Sequence, residues 1–254
     1  MFRPQTVEDL SNWVKEQSAV HFVPTREQPC NLDLAGLTSP MRIEKSDFFG
    51  CFSAGIPFEV AAKELEKLGL GFPFLPVDRS LTLGDLVNSG MPNIWSTPLG
   101  EWPYSVMAIQ FMLADGSVAK SGANVAKSVA GFDLHKFIVG AMGTVAIPLE
   151  ITFQLVPLQV VPDRNVAQVP NSTWVQRVLP ADYELASQNS PLFTNPEFQT
   201  IWFANRPSRR FDGDWIRRLD GRAGDPLSNP KIFDRIKQVF DPSHKLSPGI
   251  LEAV

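Results

Sequence analysis

No glycine precedes Gly36 in this 254-residue chain, and Pro24 and Pro29 fall in the later part of that stretch. A nest of glycine amides, the usual backbone device for holding a phosphate, therefore cannot be built from the first 35 residues. Cysteine is nearly absent. Cys30 and Cys51 stand alone, without metal or redox spacing, and read as two buried or inert thiols. Only three histidines occur, His21, His135 and His244, and no two have the separation of metal ligands. No metal site is expected. No Ser, Cys or Thr is paired with a base in a recognisable pattern, so catalytic residues stay unassigned. There is no basic run, and the net charge is −4, which excludes nucleic acid as a partner. No apolar run reaches the length of a membrane span, and the start "MFRPQTVEDL" carries no signal-peptide pattern, so the chain reads as cytoplasmic.

What is present is the composition of a globular protein, 44% hydrophobic and 20% charged, with 22 prolines that imply many fixed turns. Thr6, with Asp9 three residues on, predicts a capped helix carrying Leu10, Trp13 and Val14 on one face. Strands are predicted at 19–24, 31–37 and 48–56. "PFEVAAKELEKLGLG" predicts a helix that opens near Pro57 and closes at Gly69. Two alternating runs around Asp115-Gly116 predict a β-hairpin. A short helix over Leu134–Val139 ending at Gly140 and a strand over Ile147–Leu155 follow. From 158 to 228 only 198–205 reads as a convincing strand. "PKIFDRIKQVF" (230–240) predicts an amphipathic helix whose stripe, Ile232, Ile236, Val239 and Phe240, needs cover.

Three glycines, Gly131, Gly140 and Gly143, surround the predicted short helix. They are compatible with ordinary turns or with backbone amides exposed to a flavin edge, a carbonyl or a phosphate. Here the sequence resembles a known family. "KSVAGFDL" places Lys127, Val129, Ala130, Gly131, Phe132, Asp133 and Leu134, and "GAMGTVAIPLE" places Gly140, Gly143, Thr144, Ile147 and Glu150, in the two motifs of the second lobe of vanillyl-alcohol oxidase-type (PCMH-type) FAD-binding flavoproteins. Within that family it is most similar to the E subunit of glycolate oxidase. "RPQTVEDLSNWV", "LDLAGL" and "GIPFEVAAKELEKLGLGFPFLP" resemble the first lobe, and "RIKQVFDPSHKLSPGIL" resembles the family's C-terminal ending.

The resemblance implies an α+β, two-lobed FAD-binding fold over residues 1–157, with lobes of about 1–78 and 79–157. A reduced cap over 158–228 and a C-terminal segment, 229–254, packing back on the first domain complete the implied organisation. It implies FAD contacts from Thr82, Gly84, Gly90, Val129, Ala130, Gly131, Phe132, Asp133, Gly143, Thr144 and Ile147. The adenine end would lie along Gly143–Ile147, and 129–133 would line the path from pyrophosphate to flavin. It further implies flavin-dependent oxidation of a 2-hydroxy acid, with larger flavoprotein and iron–sulfur subunits of a glycolate oxidase-like complex, or further copies of the chain, as partners. The chain also departs from the family. "VPTREQPCNLDL" stands where the glycine-rich pyrophosphate loop belongs, and Asp85 stands where a glycine is usual in the run "TLGDLVNSGMP". The alternative is therefore a degenerate, non-catalytic relative that no longer binds FAD and serves as a structural or partner-binding subunit. Arg26 could contribute charge to a phosphate, and Arg206, Arg209 and Arg210 could bind a carboxylate. Each is equally a solvated loop arginine.

Overall fold

The computed structural model describes residues 1–23, 29–76, 79–89, 102–123, 133–161, 174–195, 199–211, 215–218 and 230–250. Helix α1 (Val7–Glu16) starts as the sequence predicts. Thr6 Oγ1 accepts the Asp9 N–H at 3.0 Å while an Asp9 carboxylate oxygen accepts the Thr6 N–H at 3.1 Å. Leu10 and Val14 are fully buried, and Trp13 stacks on Phe2 with ring centroids 5.0 Å apart.

The strands expected at 19–24 and 31–37 do not form among the described residues. Val20 makes an isolated bridge to Leu246, Leu32 makes one to Phe2, and Leu34–Gly36 is a 3-10 turn. The reason is local side-chain bonding that competes with a ladder. Asn31 Oδ1 accepts the His21 N–H at 2.8 Å, Asn31 Nδ2 donates to Ala19 O, and Asp33 Oδ1 accepts the Ala35 N–H.

Strands β1 (Met41–Glu44) and β2 (Phe49–Ser53) pair antiparallel. Helix α2 (Phe58–Lys67) follows Pro57 and is closed by Gly69 at φ +73°, the left-handed cap that glycine adopts without strain. After β3 (Leu70–Gly71) and α3 (Leu83–Ser89), strands β4 (Val106–Met112) and β5 (Val118–Gly122) form the expected hairpin. Its turn holds Gly116 at φ +82°, and Asp115 Oδ1 accepts the Ser117 N–H. Strand β6 (Ile147–Gln154) inserts between β2 and β4, giving a five-stranded antiparallel sheet of order β1-β2-β6-β4-β5, and β7 (Val156–Pro157) pairs with β3. One face of that sheet carries Phe52, Ile109, Phe111, Ile151 and Phe153 into the core. There Phe52 and Phe153 meet Phe58, Phe72 and Phe74 at centroid separations of 5.1 to 6.3 Å.

Beyond residue 158 the chain is more regular than its sequence suggests. Strand β8 (Trp174–Arg177), helix α4 (Tyr183–Ala186), and strands β9 (Phe193–Asn195), β10 (Thr200–Phe203) and β11 (Trp215–Arg218) build a second antiparallel sheet of order β11-β8-β10-β9. Three of these strands escape sequence reading because three or four residues are too few to show a period of two. Val178, Ala186, Ile201 and Phe203 form its own small core.

Helix α5 (Pro230–Phe240) turns Phe233, Ile236 and Phe240 toward the main core, with the Phe240 ring 6.1 Å from Phe111. Ile232 and Val239, expected in that stripe, are 51% and 75% exposed. The inward face is rotated because Lys237, a residue that periodicity scores as polar, is one of its buried members.

Candidate functional site

Helix α3 and the turn that follows the short helix at 134 are built against each other. Thr82 caps α3. Its Oγ1 accepts the Asp85 N–H at 3.1 Å and donates to an Asp85 carboxylate oxygen at 2.7 Å. Asp85 therefore acts in the first turn of α3, the place a capping carboxylate takes. Its charge also reaches toward the loop that ends at Cys30. Burial first, then Asp85 and Asp33, pushes the Cys30 thiol up from its ordinary range. Gly84 donates its N–H to Ala54 O at 2.7 Å, and a Cβ there would stand 2.9 Å from the Ala54 methyl, so a side chain would part α3 from the chain just after β2. At the other end of α3, the carbonyls of Val87 and Asn88 lie beyond the reach of helical donors. Gly140 N–H fills the first at 2.8 Å and Met142 N–H the second at 2.7 Å. Asn88 is fully buried. Its Nδ2 donates to Gly84 O at 3.3 Å, and its Oδ1 has no hydrogen-bond partner among the described residues.

The following turn is held from the C-terminal side. Gly143 has φ +73°, and a Cβ on it would stand 2.9 Å from Ser247 Oγ and 3.0 Å from the Phe22 ring. Thr144 is fully buried and spends its hydroxyl on Ala141 O at 2.6 Å, and Ile147 is fully buried in β6. Lys237 Nζ donates to Thr144 O at 2.8 Å, to Leu246 O at 2.6 Å and to Asp241 Oδ2 at 2.7 Å. Asp241, fully buried, also accepts the N–H groups of Lys245 and Leu246. Burial pushes the Asp241 carboxyl up, but the Lys237 bond and the two amides outweigh it and hold it below the usual carboxylate range. Lys237 and Asp241 lie in the C-terminal motif "RIKQVFDPSHKLSPGIL", but neither was assigned a role, and Asn88 was not assigned either. The i, i+4 spacing of Lys237 and Asp241 on a helix end was a further available signal.

The remaining assignments scatter. Asp133 is exposed and pairs with Lys136 at 2.9 Å. Gly90 and the run Val129, Ala130, Gly131 and Phe132 lie outside the described residues, as does Arg26. His135 is buried. Its backbone N–H donates to Ser121 Oγ, and burial lowers its imidazole below the ordinary value. Cys51 is buried on the outer face of the five-stranded sheet. Its Sγ–H donates to Glu150 Oε1 at 2.8 Å, and Arg42 donates to Glu150 Oε2 at 2.8 Å. Glu150, the last residue of the second motif, thus serves a polar cluster across β1, β2 and β6. Arg206 and Arg209 lie over the rings of Trp174 and Phe211, at 5.6 and 5.1 Å. Among the described residues no group of three His, Cys, Asp or Glu side chains could hold a metal. An open groove of about 460 Å³ runs along the start of α1, lined by Phe2, Arg3, Asp9 and Trp13, and none of the assigned residues borders it.

Known proteins share this chain. It is 24% identical over 170 residues to the glycolate oxidase subunit GlcD of Bacillus subtilis, a match covering 61% of this chain and 36% of that protein. It is 30% identical over 136 residues to a mitochondrial cytochrome-type D-lactate dehydrogenase of Kluyveromyces lactis, covering 53% of this chain and 23% of that one. A D-lactate dehydrogenase of Anaerostipes hadrus is 26% identical over 126 residues, covering 50% and 26%. No family model matches the chain. Among solved structures, an alkyldihydroxyacetonephosphate synthase superposes with a TM-score of 0.50 over 74% of this chain and 38% of that one, at 14% identity. The chain is a distant relative of these oxidoreductases and has the PCMH-type FAD-binding fold.

The match spans about a quarter to a third of the length of these curated relatives. A test of whether the chain's residues fit FAD comes from the junction of α3 with the 138–143 turn. Asn88 Oδ1 is a fully buried acceptor without a donor. A buried polar atom left so costs about 1–3 kcal/mol, and a ligand that brings a hydroxyl or ring N–H removes that cost. The junction fits such a group. The hydroxyls of Thr82 and Thr144 are committed inside the protein.

Proposed function

We propose that this chain is an FAD-binding subunit of a 2-hydroxy-acid oxidoreductase and that it works with a partner. The observation that carries this reading is the direct bonding of two stretches more than fifty residues apart. The end of α3, which leads to Gly90, and the turn at Gly140–Met142, which follows 129–133, are joined by two backbone hydrogen bonds around the donor-less Asn88 Oδ1. The resemblance assigns Thr82, Gly84 and Gly90 along the first stretch, and 129–133 and Gly143–Ile147 on either side of the second, to the cofactor. Kinship to a glycolate oxidase subunit and to D-lactate dehydrogenases supports the substrate class.

When bound, FAD would accept the hydride from the carbon that bears the substrate hydroxyl. The chain's own part is to bind and orient. Asn88 Oδ1 would accept a hydrogen bond from the cofactor, and α3 with the 138–143 turn would give the segments around Gly90 and Gly131 a rigid base. A second reading, a partner-binding subunit without FAD, is favoured by a specific observation. Gly84 N–H, Thr82 Oγ1 and Thr144 Oγ1 are all engaged internally, and Gly143 is covered by Ser247 and Phe22.

Titration of FAD into the purified chain, followed by flavin fluorescence and by absorbance between 350 and 500 nm, separates the two. The proposal expects saturable one-to-one uptake, weakened about tenfold or more by Asn88→Leu, equivalent to about 1.4 kcal/mol or more. No uptake at high micromolar FAD would overturn the FAD reading and leave the second.

A further inference from the structure

We infer that Lys237 is a positioning residue: its ammonium clasps the turn at Thr144 to the C-terminal segment and so fixes the two chain segments that flank the adenine end of the proposed site. This rests on the FAD reading above, although its geometry stands apart from it. Lys237 sits in α5, more than ninety residues from Thr144, yet it is 5% exposed and directs its three donors to three separate acceptors, Thr144 O, Leu246 O and Asp241 Oδ2.

From these bonds the clasp spreads. Leu246 bridges Val20, with Val20 N–H donating to Lys245 O at 2.9 Å and Ser247 N–H donating to Val20 O at 2.8 Å. Lys245 Nζ reaches Val14 O at the end of α1. Ser247 Oγ and the Phe22 ring then close over Gly143. One ammonium group thus ties the stretch ending at Val23, which leads into "PTREQ", to Gly143–Ile147. These are the two stretches expected to meet the phosphates and the adenine. Neither belongs to α5, so a helix packed only for stability would have no need of a buried cation aimed at Thr144 O. A buried cation is costly unless every proton is bonded, and here every one is.

The test compares wild type with Lys237→Met and with Lys237→Met/Asp241→Asn. The double variant leaves no unpaired buried charge and keeps one side-chain oxygen at position 241 for one of the Lys245 and Leu246 amides, so it is the milder change should the single variant fail to fold. Hydrogen–deuterium exchange on the flavin-free chain is the first readout. The amides of 20–23 and 143–147 should exchange at least tenfold faster in either variant, while those of α2 stay unchanged. FAD titration is the second, with affinity reduced at least tenfold. Faster exchange confined to 241–250 overturns the inference, as does unchanged FAD affinity in a wild type that binds it. Should wild type take up no FAD, the proposed function falls, and the exchange at 20–23 and 143–147 alone decides the clasp.

Discussion

Asp241 shows how one carboxylate carries an acid-sensitive part of the fold. Its folded carboxyl lies below its unfolded value of about 3.9 because Lys237 and two backbone amides favour the charged form against the effect of burial. A group lowered in this way contributes stability that is present above the unfolded value and is lost as pH falls through the folded one. Replacing Asp241 by Asn should lower the melting temperature at pH 7, where the ion pair is intact, and should flatten the further loss between pH 4 and pH 2. Melting curves of both proteins across that range measure the difference. Equal acid slopes would mean that other carboxylates dominate. Asp85 makes a different point at this scale. Standing where the family has glycine, it would put a charge on the path that the resemblance implies for the pyrophosphate; in the structure its carboxylate accepts the Thr82 hydroxyl and its N–H donates to Thr82 Oγ1 in the first turn of α3. Both roles draw on the same property, a short carboxylate beside exposed amides, and sequence alone cannot choose between them.

At the level of elements, local chemistry was legible wherever it decided the outcome. The Thr6–Asp9 box, the Asp115-Gly116 turn and the α2 end at Gly69 are formed by residues within a few positions of one another. The strands expected at 19–24 and 31–37 gave way to Asn31 and Asp33 side-chain bonds. The other failures lie where partners are distant, and the short strands of the second sheet exist only because each has a neighbour. Helix α5 shows the same limit. Its period was correct and Ile236 and Phe240 face inward as expected, but the face is rotated away from Ile232 and Val239 because Lys237 finds acceptors in Thr144, Leu246 and Asp241. The packing now assigned makes a contrast that can be measured. Phe240→Ala should cost about 2–3 kcal/mol, less than the usual range for a fully buried ring because Phe240 is half-buried, whereas Val239→Ser should be near neutral. Urea denaturation of the two variants provides the comparison. A larger loss for Val239→Ser would return the helix to the orientation its sequence periodicity suggests.

Across the whole molecule, the frame of a flavin site is easier to recognise than its contacts. The glycine motifs led to the fold, because glycines fix where backbones approach, as Gly84 does against Ala54. Of the six tryptophans, Trp13, Trp174 and Trp202 are covered at least in part, and among the described residues Tyr104, Phe137 and Val239 are exposed. The stretch "PTREQPCN" (24–31), which carries two prolines and no glycine, is expected to limit FAD affinity in the proposed site. A hydrogen bond to a charged acceptor contributes about 1.5–3 kcal/mol, so about three missing amides remove roughly 5–9 kcal/mol, more than a thousandfold in affinity. Grafting a glycine-rich loop of family type over 24–31 should restore much of that. Asp85 has to be kept in the first graft, because Asp85→Gly also removes the partner of Thr82 and would loosen α3 by about 1 kcal/mol. Asp85→Asn then tests the charge separately, since it retains an oxygen for the Thr82 hydroxyl. FAD titrations of wild type, graft and graft with Asp85→Asn should show affinity rising at each step. Submicromolar binding by wild type would mean that this chain holds the diphosphate by other groups. A folded graft with no gain would place the limitation in the region after residue 158, where the second sheet stands.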